Sequence, residues 1–297
     1  MTAVLDRGRE GEHTAYTIER ATDPDVLRGM LPDRAYAAYA IAQLEPARFP
    51  SSEWYVATGP DDRRAIVVHS ASGLGRALFT EGDAGAVDAA LSLHPGARFS
   101  FGSLRPEHRK AVERYFVIMR QGTMMRMSVT RESFTPAAGE AVRLRGPDIA
   151  DVNRLYSTEG GPTAYTPAHL DEGVYCGVRK DGQLVSIAGT HVVSAAEGVA
   201  VVGNVFTHPR YRSLGYSTTA TSATTRELLG RCPLVVLTVE AANEPAVKVY
   251  RRLGYDSVCT LHESPLIRKE PVGLISLARR AAAGWRGRAD GKEVVIR

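Results

Sequence analysis

Cysteine is scarce in this sequence, and its three cysteines stand far apart. Cys176, Cys232 and Cys259 never occur in the CxxC spacing that zinc sites and redox motifs use, and they do not form the clustered set of a disulfide framework. Isolated cysteines of this kind are typical of buried apolar positions in a reducing compartment. The sequence therefore predicts a protein without a metal site and without structural disulfides.

Long apolar runs are also missing. No run approaches the roughly 20 apolar residues that a transmembrane helix needs, and the start "MTAVLDRGREGE" (1–12) is too charged for a signal peptide. The formal net charge of +4 is concentrated in the last thirty residues, which leaves the rest of the chain close to neutral. We therefore expect a cytoplasmic protein that binds neither a membrane nor nucleic acid.

The length and composition predict two ordinary folded domains. The 297 residues are about twice the size of a usual domain, and 44% of them are hydrophobic against 24% charged. The polar and small stretch "TPAAGE" (135–140) indicates a linker. We predict a flexible tail over 1–14, an N-terminal α/β domain over 15–138, a second domain over 139–265, and a basic tail or helix over 266–297 whose last residues, 287–297, are disordered.

The second half gives the clearer pattern of a mixed α/β fold, in the order β-α-β-β-β-α-β-α-β. It opens with a strand over 141–145 and a helix over 148–156 with Asp148 as a candidate cap. Asp181-Gly182 indicates a tight hairpin, and the remaining elements are predicted at 198–207, 217–230, 234–239, 244–254 and 255–261. Residues 15–134 give a blurrier mixed pattern, with helices at 27–44 and 106–116 and strands at 53–59 and 64–70.

One loop with two arginines and a glycine joins a predicted strand to a predicted helix in "THPRYRSLGYSTTATSATTRELL" (207–229). Gly215 allows a positive φ and a close approach of a ligand, and the amides of 213–217 would point together from the start of a helix, as in phosphate sites. Arg212 and Arg210 would add charge-assisted hydrogen bonds, and Ser217 and Thr218 would add hydroxyls. A plain turn with solvated arginines is the alternative.

Two motifs in this half resemble those of the GNAT superfamily of acyl-CoA-dependent N-acyltransferases. The first is Arg212-Ser-Leu-Gly215-Tyr-Ser217, preceded by Pro209-Arg-Tyr211. The second, "NEPAVKVYRRLGY" (243–255), matches the superfamily pattern at Asn243, Ala246, Tyr250, Gly254 and Tyr255. The resemblance covers about 140–262, looks most like the glycine N-acyltransferase-like branch, and departs from the pattern at Ser217, where Gly or Ala is usual.

The resemblance implies a fold, a co-substrate and a site. The fold is a central mixed sheet flanked by helices, and the first half would be either a degenerate copy of it or a domain that walls the acceptor cleft or forms a homodimer contact. The co-substrate is acetyl-CoA or another acyl-CoA, with no metal. The implied binding residues are Val205, Phe206, Thr207, Arg210, Arg212, Ser213, Leu214, Gly215, Tyr216, Ser217, Thr218, Asn243, Ala246 and Tyr250.

The resemblance also assigns Tyr250 as the general acid for the leaving thiolate, although its place in a helical apolar stripe fits simple packing equally. Asn243 would bind the pantetheine amide or only cap a helix. For the general base, Glu240, His191, Glu159 and water all stay open.

The sequence thus predicts an N-acetyltransferase that moves an acetyl or other short acyl group from acyl-CoA to a primary amine of a small molecule by direct attack. A non-catalytic acyl-CoA-binding module is the alternative. A protein adaptor that uses a detachable first half is a third interpretation.

Overall fold

In the computed structural model, the described residues are 15–71, 75–120, 122–161, 165–286 and 293–296, and their fourteen strands form one continuous sheet. The first half contains β1 Ala15–Ala21, α1 Pro24–Gly29, α2 Ala38–Ala42, β2 Ser52–Thr58, β3 Arg64–Ser70, β4 Ala77–Gly82, α3 Ala84–Leu93, β5 Phe99–Leu104, α4 Arg109–Tyr115, β6 Phe116–Ile118 and β7 Met124–Val129.

The second half contains β8 Val142–Arg143, α5 Ile149–Ser157, α6 Pro167–Glu172, β9 Cys176–Lys180, β10 Gln183–Ser194, β11 Val199–Thr207, α7 Tyr216–Leu229, β12 Leu234–Glu240, α8 Glu244–Arg252 and β13 Asp256–Arg268. The chain continues through α9 Leu274–Arg286 to β14 Glu293–Ile296.

The two halves repeat one order of elements. Each runs strand, two helices, three strands, helix, strand, helix and a closing strand region. Each half also contains a parallel strand pair at the same position in that order. This pair is β4 with β5 in the first half and β11 with β12 in the second. The mixed α/β fold predicted from the sequence is confirmed, and the first half has the topology of the second.

The halves exchange their closing strands. β7, from the first half, lies between β12 and β13 and pairs antiparallel with both. β13 pairs with β7 up to Leu261 and then, from His262 onward, pairs with β5 and β6 of the first half. A central apolar cluster, with Trp54 from the first half and Val199, Val236 and Leu261 from the second, packs beside this junction. The strand exchange therefore joins both halves through backbone hydrogen bonds and a shared core.

Several elements form where short sequence motifs predict them. Asp181 and Gly182 both have positive φ, 50° and 79°, and Lys180 pairs directly with Gln183, as in a two-residue type I′ hairpin. The helices predicted at 217–230 and 244–254 are α7 and α8.

Three local predictions need correction. Asp148 does not cap α5, because its carboxylate accepts hydrogen bonds from the Arg145 amide at 2.9 Å and from Arg179 at 2.8 Å. Residues 27–44 are not one helix, since Pro32 lacks an N–H and separates α1 from α2. The predicted order β-α-β-β-β-α-β-α-β omits the short helix α6, because the residues before it are rich in Gly and Pro.

The prediction of disorder over 287–297 is wrong for 293–296. These residues form β14, which pairs antiparallel with β1 so that Ala15 lies opposite Ile296. The preceding helix α9 buries Ala283 in the core of the first half. The predicted tail over 1–14, and residues 287–292 and 297, lie outside the described residues. Within the described ranges, no helix combines the length and apolarity needed to cross a bilayer.

Candidate active site

A wedge opens in the sheet where two parallel strands separate. β11 and β12 pair from Val199 opposite Leu234 to Val202 opposite Leu237. Beyond that point β11 continues beside β10 alone and β12 beside β7 alone. Residues 205–207 therefore turn backbone groups without a β12 partner toward the wedge, where an extended ligand could pair with them.

A β-bulge bends β11 at the start of this wedge. Ile187 pairs with Phe206 and Gly189 pairs with Gly203, so two residues of β11 stand opposite one of β10. One of the two, Asn204, has a φ of 55°, a conformation that Asn tolerates better than most residues. Bulges of this kind bend a strand and redirect its backbone groups.

Three tyrosines hold the bulge in place. Tyr165 Oη donates to Asn204 Oδ1 at 2.8 Å, Asn204 Nδ2 donates to Tyr175 Oη at 3.1 Å, and Tyr156 Oη donates to the Asn204 carbonyl. Burial raises the pKa of all three phenols, so each stays protonated and able to donate near neutral pH. Asn204 was not among the predicted site residues, and its only signal in the sequence was an Asn inside an otherwise apolar strand.

The loop after β11 exposes a series of backbone amides. Ser213 and Gly215 have φ values of 63° and 82°, and α7 begins directly after them at Tyr216. Among the described residues, the amides of 213–218 donate to no acceptor. A Cβ placed on Gly215 would meet nothing within 4 Å, so open space lies beside them. Such a set of amides at the start of a 14-residue helix suits an anionic group.

The two arginines of the loop are placed differently. Arg212 lies at the edge of the wedge, where its Nε donates to the Thr207 carbonyl at 3.3 Å and its guanidinium pairs with Glu159. Glu159 is therefore engaged in an ion pair. Arg210 is exposed on the preceding 3-10 turn.

The second motif lies on α8, across the wedge. Asn243 caps this helix, with its Oδ1 accepting from the Ala246 amide at 3.2 Å, and its Nδ2 donates to no acceptor within the described part of the chain. Tyr250, two helical turns after Asn243, is buried, and burial raises its pKa to about 12. Gly254 has a φ of 87°, and a Cβ there would fall 1.9 Å from the Ser133 carbonyl oxygen. The motif glycine is therefore required sterically.

One cleft of about 880 Å³ gathers these features. Its lining includes all but two of the predicted binding residues, namely Val205, Phe206, Thr207, Arg212, Ser213, Gly215, Tyr216, Ser217, Thr218, Asn243, Ala246 and Tyr250. Arg210 and Leu214 are outside this lining, and Leu214 is largely exposed. Among the described residues, no group of three or more His, Cys, Asp or Glu side chains is arranged to hold a metal ion.

Two candidate bases also line the cleft. His191 packs its ring on Gly203, where a Cβ would fall 2.0 Å from Nε2. The ring is open to solvent in the cleft but is surrounded by protein on its other sides, and this desolvation lowers its pKa, so the imidazole is neutral at pH 7. Glu240, at the end of β12, is exposed at the edge of the same cleft.

Comparisons with known proteins identify a family match and several similar folds. The model of the Acetyltransferase (GNAT) family matches residues 147–255, and a search of curated proteins gave no match. A Drosophila protein is similar in structure, with 16% identity and a TM-score of 0.61 over 86% of this chain and 98% of its own.

Two bacterial enzymes are also similar in structure. The GCN5-related N-acetyltransferase of Kribbella flavida has 20% identity and a TM-score of 0.56, over 79% of this chain and 96% of its own. That of Sphaerobacter thermophilus has 14% identity and a TM-score of 0.52, over 86% and 96%. At these identities the likeness is one of fold. The family match alone identifies residues 147–255 as an acetyltransferase domain of the GNAT family.

Proposed function

We propose that this protein is an N-acyltransferase that moves an acetyl or other short acyl group from acyl-CoA to a primary amine of a small molecule. One observation carries the proposal: the amides of 213 and 215–218, which have no acceptor among the described residues, the β11–β12 wedge and Tyr250 all border a single cleft. A diphosphate, an amide-bearing arm and a thioester need these three features in this order.

In this proposal the diphosphate of coenzyme A binds the amides of the loop before α7, with Arg212 leaving Glu159 to add a charge-assisted hydrogen bond. The pantetheine arm lies along β11 like an added strand, and Asn243 Nδ2 binds one of its amides. Backbone N–H groups of 205–207 would then donate hydrogen bonds to the acyl oxygen and stabilise the negative charge that develops on it. Such preorganised donors contribute about 3–4 kcal/mol.

The reaction follows from these positions. The acceptor arrives as an ammonium ion and first gives one proton to a base in the cleft. Its nitrogen then attacks the thioester carbon, so a C–N bond forms and the negative charge moves to the acyl oxygen. When the C–S bond breaks, the thiolate takes a proton from Tyr250, and the second proton lost by the nitrogen restores the Tyr250 phenol. The products are an amide, free CoA thiol and one proton released to solvent.

His191 fits the role of base better than Glu240 does. Its imidazole is neutral at pH 7 because burial lowers its pKa, and it lies beside Gly203 at the point where the wedge opens. Glu240 lies farther along β12, beyond the last β11–β12 pair at Leu237 and at the edge of the cleft.

Release of free CoA thiol from acetyl-CoA in a panel of primary amines, glycine included, tests this function directly. We expect amine-dependent release by the wild type and a kcat about 10²-fold lower in Tyr250→Phe, because the phenol no longer protonates the thiolate. The Kd for acetyl-CoA should change less than threefold, since the ring stays packed. Because the pKa of Tyr250 is about 12, the wild type should not lose this donor between pH 7 and 10.

Thermal unfolding provides the control for Tyr250→Phe. The described residues offer the hydroxyl no hydrogen bond, so the Tm should be unchanged within a few degrees. Full activity in Tyr250→Phe would remove this residue from the chemistry. Tight acetyl-CoA binding without thiol release in any amine would instead favour the non-catalytic module. Glycine as the best acceptor would support the glycine N-acyltransferase-like branch.

The pH profile tests His191 separately. The groups that act on its ring are Glu263, which raises its pKa, and Arg126, which lowers it together with burial. The neutral, proton-accepting form therefore persists below pH 6.5. We expect the ratio of kcat/KM between wild type and His191→Gln to be about 10² at pH 8, to stay high at pH 6.5, and to fall toward one only when the pH drops through the lowered pKa of the imidazole. A ratio near one at pH 8 would exclude His191 as the base.

A further inference from the structure

A second cavity, of about 300 Å³, lies between the two halves on the inner side of His191. It is bordered by Tyr39 of α2, Phe101 and Ser103 of β5, and Arg126 of β7, all from the first half. The second half contributes His191, Val201, Thr238 and Glu263. His191 and Thr238 line both this cavity and the cleft, so a molecule in the cavity would meet a thioester in the cleft across these two side chains.

The cavity contains one carboxylate that is held on one side only. Glu263 Oε1 accepts hydrogen bonds from Arg126 at 3.2 Å, Thr238 Oγ1 at 3.1 Å and Ser103 Oγ at 3.4 Å. Oε2 receives none from any described residue. The side chain is 17% exposed, and Glu263 lines the cavity. A carboxylate can accept about four hydrogen bonds, so this one is fixed in orientation and still has an oxygen for a ligand.

Arg126, the positive partner of this carboxylate, is too buried to contact a ligand in the cavity. The Arg126 side chain is only 2% exposed, and its Nε is buried without a hydrogen bond among the described residues. Arg76 is exposed at the mouth of the cavity. The other walls are largely apolar, with Phe101 and Val201 among them. The inner part of the cavity thus offers one accessible negative charge beside an apolar surface.

We propose that this cavity is the acceptor site and that it binds a small ammonium compound with an apolar body, whose nitrogen is held by Glu263 beside His191. This inference rests on the proposed acyltransferase function and specifies its acceptor. A charge-assisted hydrogen bond from the ammonium to Glu263 Oε2 replaces water there, while the apolar body covers Phe101 and Val201. The volume is at the lower end of small-molecule sites, so the acceptor is compact.

Phenethylamine is the probe, and phenylalanine, which adds only a carboxylate, is its matched counterpart. Calorimetric titration into wild-type protein with CoA should show phenethylamine binding at least tenfold more tightly than phenylalanine. Glu263→Gln should weaken phenethylamine binding, and raise its KM, about tenfold to hundredfold. The Kd of this variant for acetyl-CoA should remain within twofold, because Glu263 does not line the cleft.

Two further variants separate binding from folding. Glu197→Gln is the matched control, since Glu197 also holds an arginine, Arg28, at 2.7 Å with a side chain only 6% exposed, but lies outside both cavities. It should leave the KM for phenethylamine unchanged. Phe101→Ala removes a half-exposed ring and should weaken phenethylamine binding about fivefold without lowering the Tm, because little buried area is lost.

The outcomes distinguish this inference from the function beneath it. If acetyl-CoA does not bind, or no amine releases thiol, the acyltransferase function fails and the acceptor site fails with it. If amines are acylated but Glu263→Gln keeps the wild-type KM, only the acceptor site is overturned. Preference for phenylalanine, or no binding of phenethylamine, would also overturn it, and the former would indicate Arg76 as a carboxylate partner.

Discussion

Gly215→Glu is expected to abolish acetyl-CoA binding, with a Kd at least 10²-fold weaker in calorimetric titration. Gly215 has a φ of 82° and open space beside its Cα, directly before the unpaired amides of α7. A glutamate there would project a carboxylate where the diphosphate is proposed to bind. Two like charges about 4 Å apart repel by about 4 kcal/mol near a protein surface.

Gly215→Gln separates charge from shape in this experiment. It places a side chain of the same size on the same positive φ, so both variants share the backbone strain of about 1–2 kcal/mol and should have similar Tm values. Binding should be weaker in Gly215→Gln than in the wild type but clearly tighter than in Gly215→Glu. Wild-type affinity in Gly215→Glu would show that this loop is not the diphosphate site.

Expression of residues 139–265 alone is expected to give a chain that does not unfold cooperatively. This fragment covers the whole family match but lacks β7, which pairs with β12 along Val235–Glu240 and with the first part of β13. Its absence leaves two strand edges open and exposes buried side chains such as Leu237. Thermal unfolding followed by near-UV circular dichroism provides the measurement.

A longer fragment, 122–268, is the matched control because it restores β7. We expect it to regain a cooperative transition, at a lower Tm than the full chain, since β5 and the shared core are still missing. A transition in 139–265 within a few degrees of the full chain would show that the strand exchange contributes little. Full transfer activity in that fragment would also favour the interpretation of the first half as a detachable adaptor.

The parts of the fold that follow local rules could be predicted from the sequence. Asp181-Gly182 specifies its hairpin through two positive φ values. Gly215 and Gly254 also adopt positive φ, and Asn243 caps a helix, so each of these motif residues meets a need of its own backbone segment. Most of the cleft could therefore be named in advance. Arg210 and Leu214 lie outside its lining because the 3-10 turn and the left-handed Ser213 direct the chain away from it.

The rest depends on contacts between residues far apart in the chain. The strand exchange brings Arg126, Thr238 and Glu263 together from three strands, and no short-range pattern relates them. The bulge at Asn204 depends in the same way on tyrosines from α5 and from the segments before α6 and β9. β14 escaped prediction because its partner, β1, stands at the other end of the chain.

The strand exchange also sets an order for folding during synthesis. Domains usually fold as units as they emerge from the ribosome, the N-terminal one first. Here one edge of β5 lacks its pairing strand until β13 is synthesised, and one edge of β1 lacks its pairing strand until β14 is synthesised. Contacts of such long sequence separation form slowly. The first half therefore keeps open strand edges until nearly all of the second half has been translated.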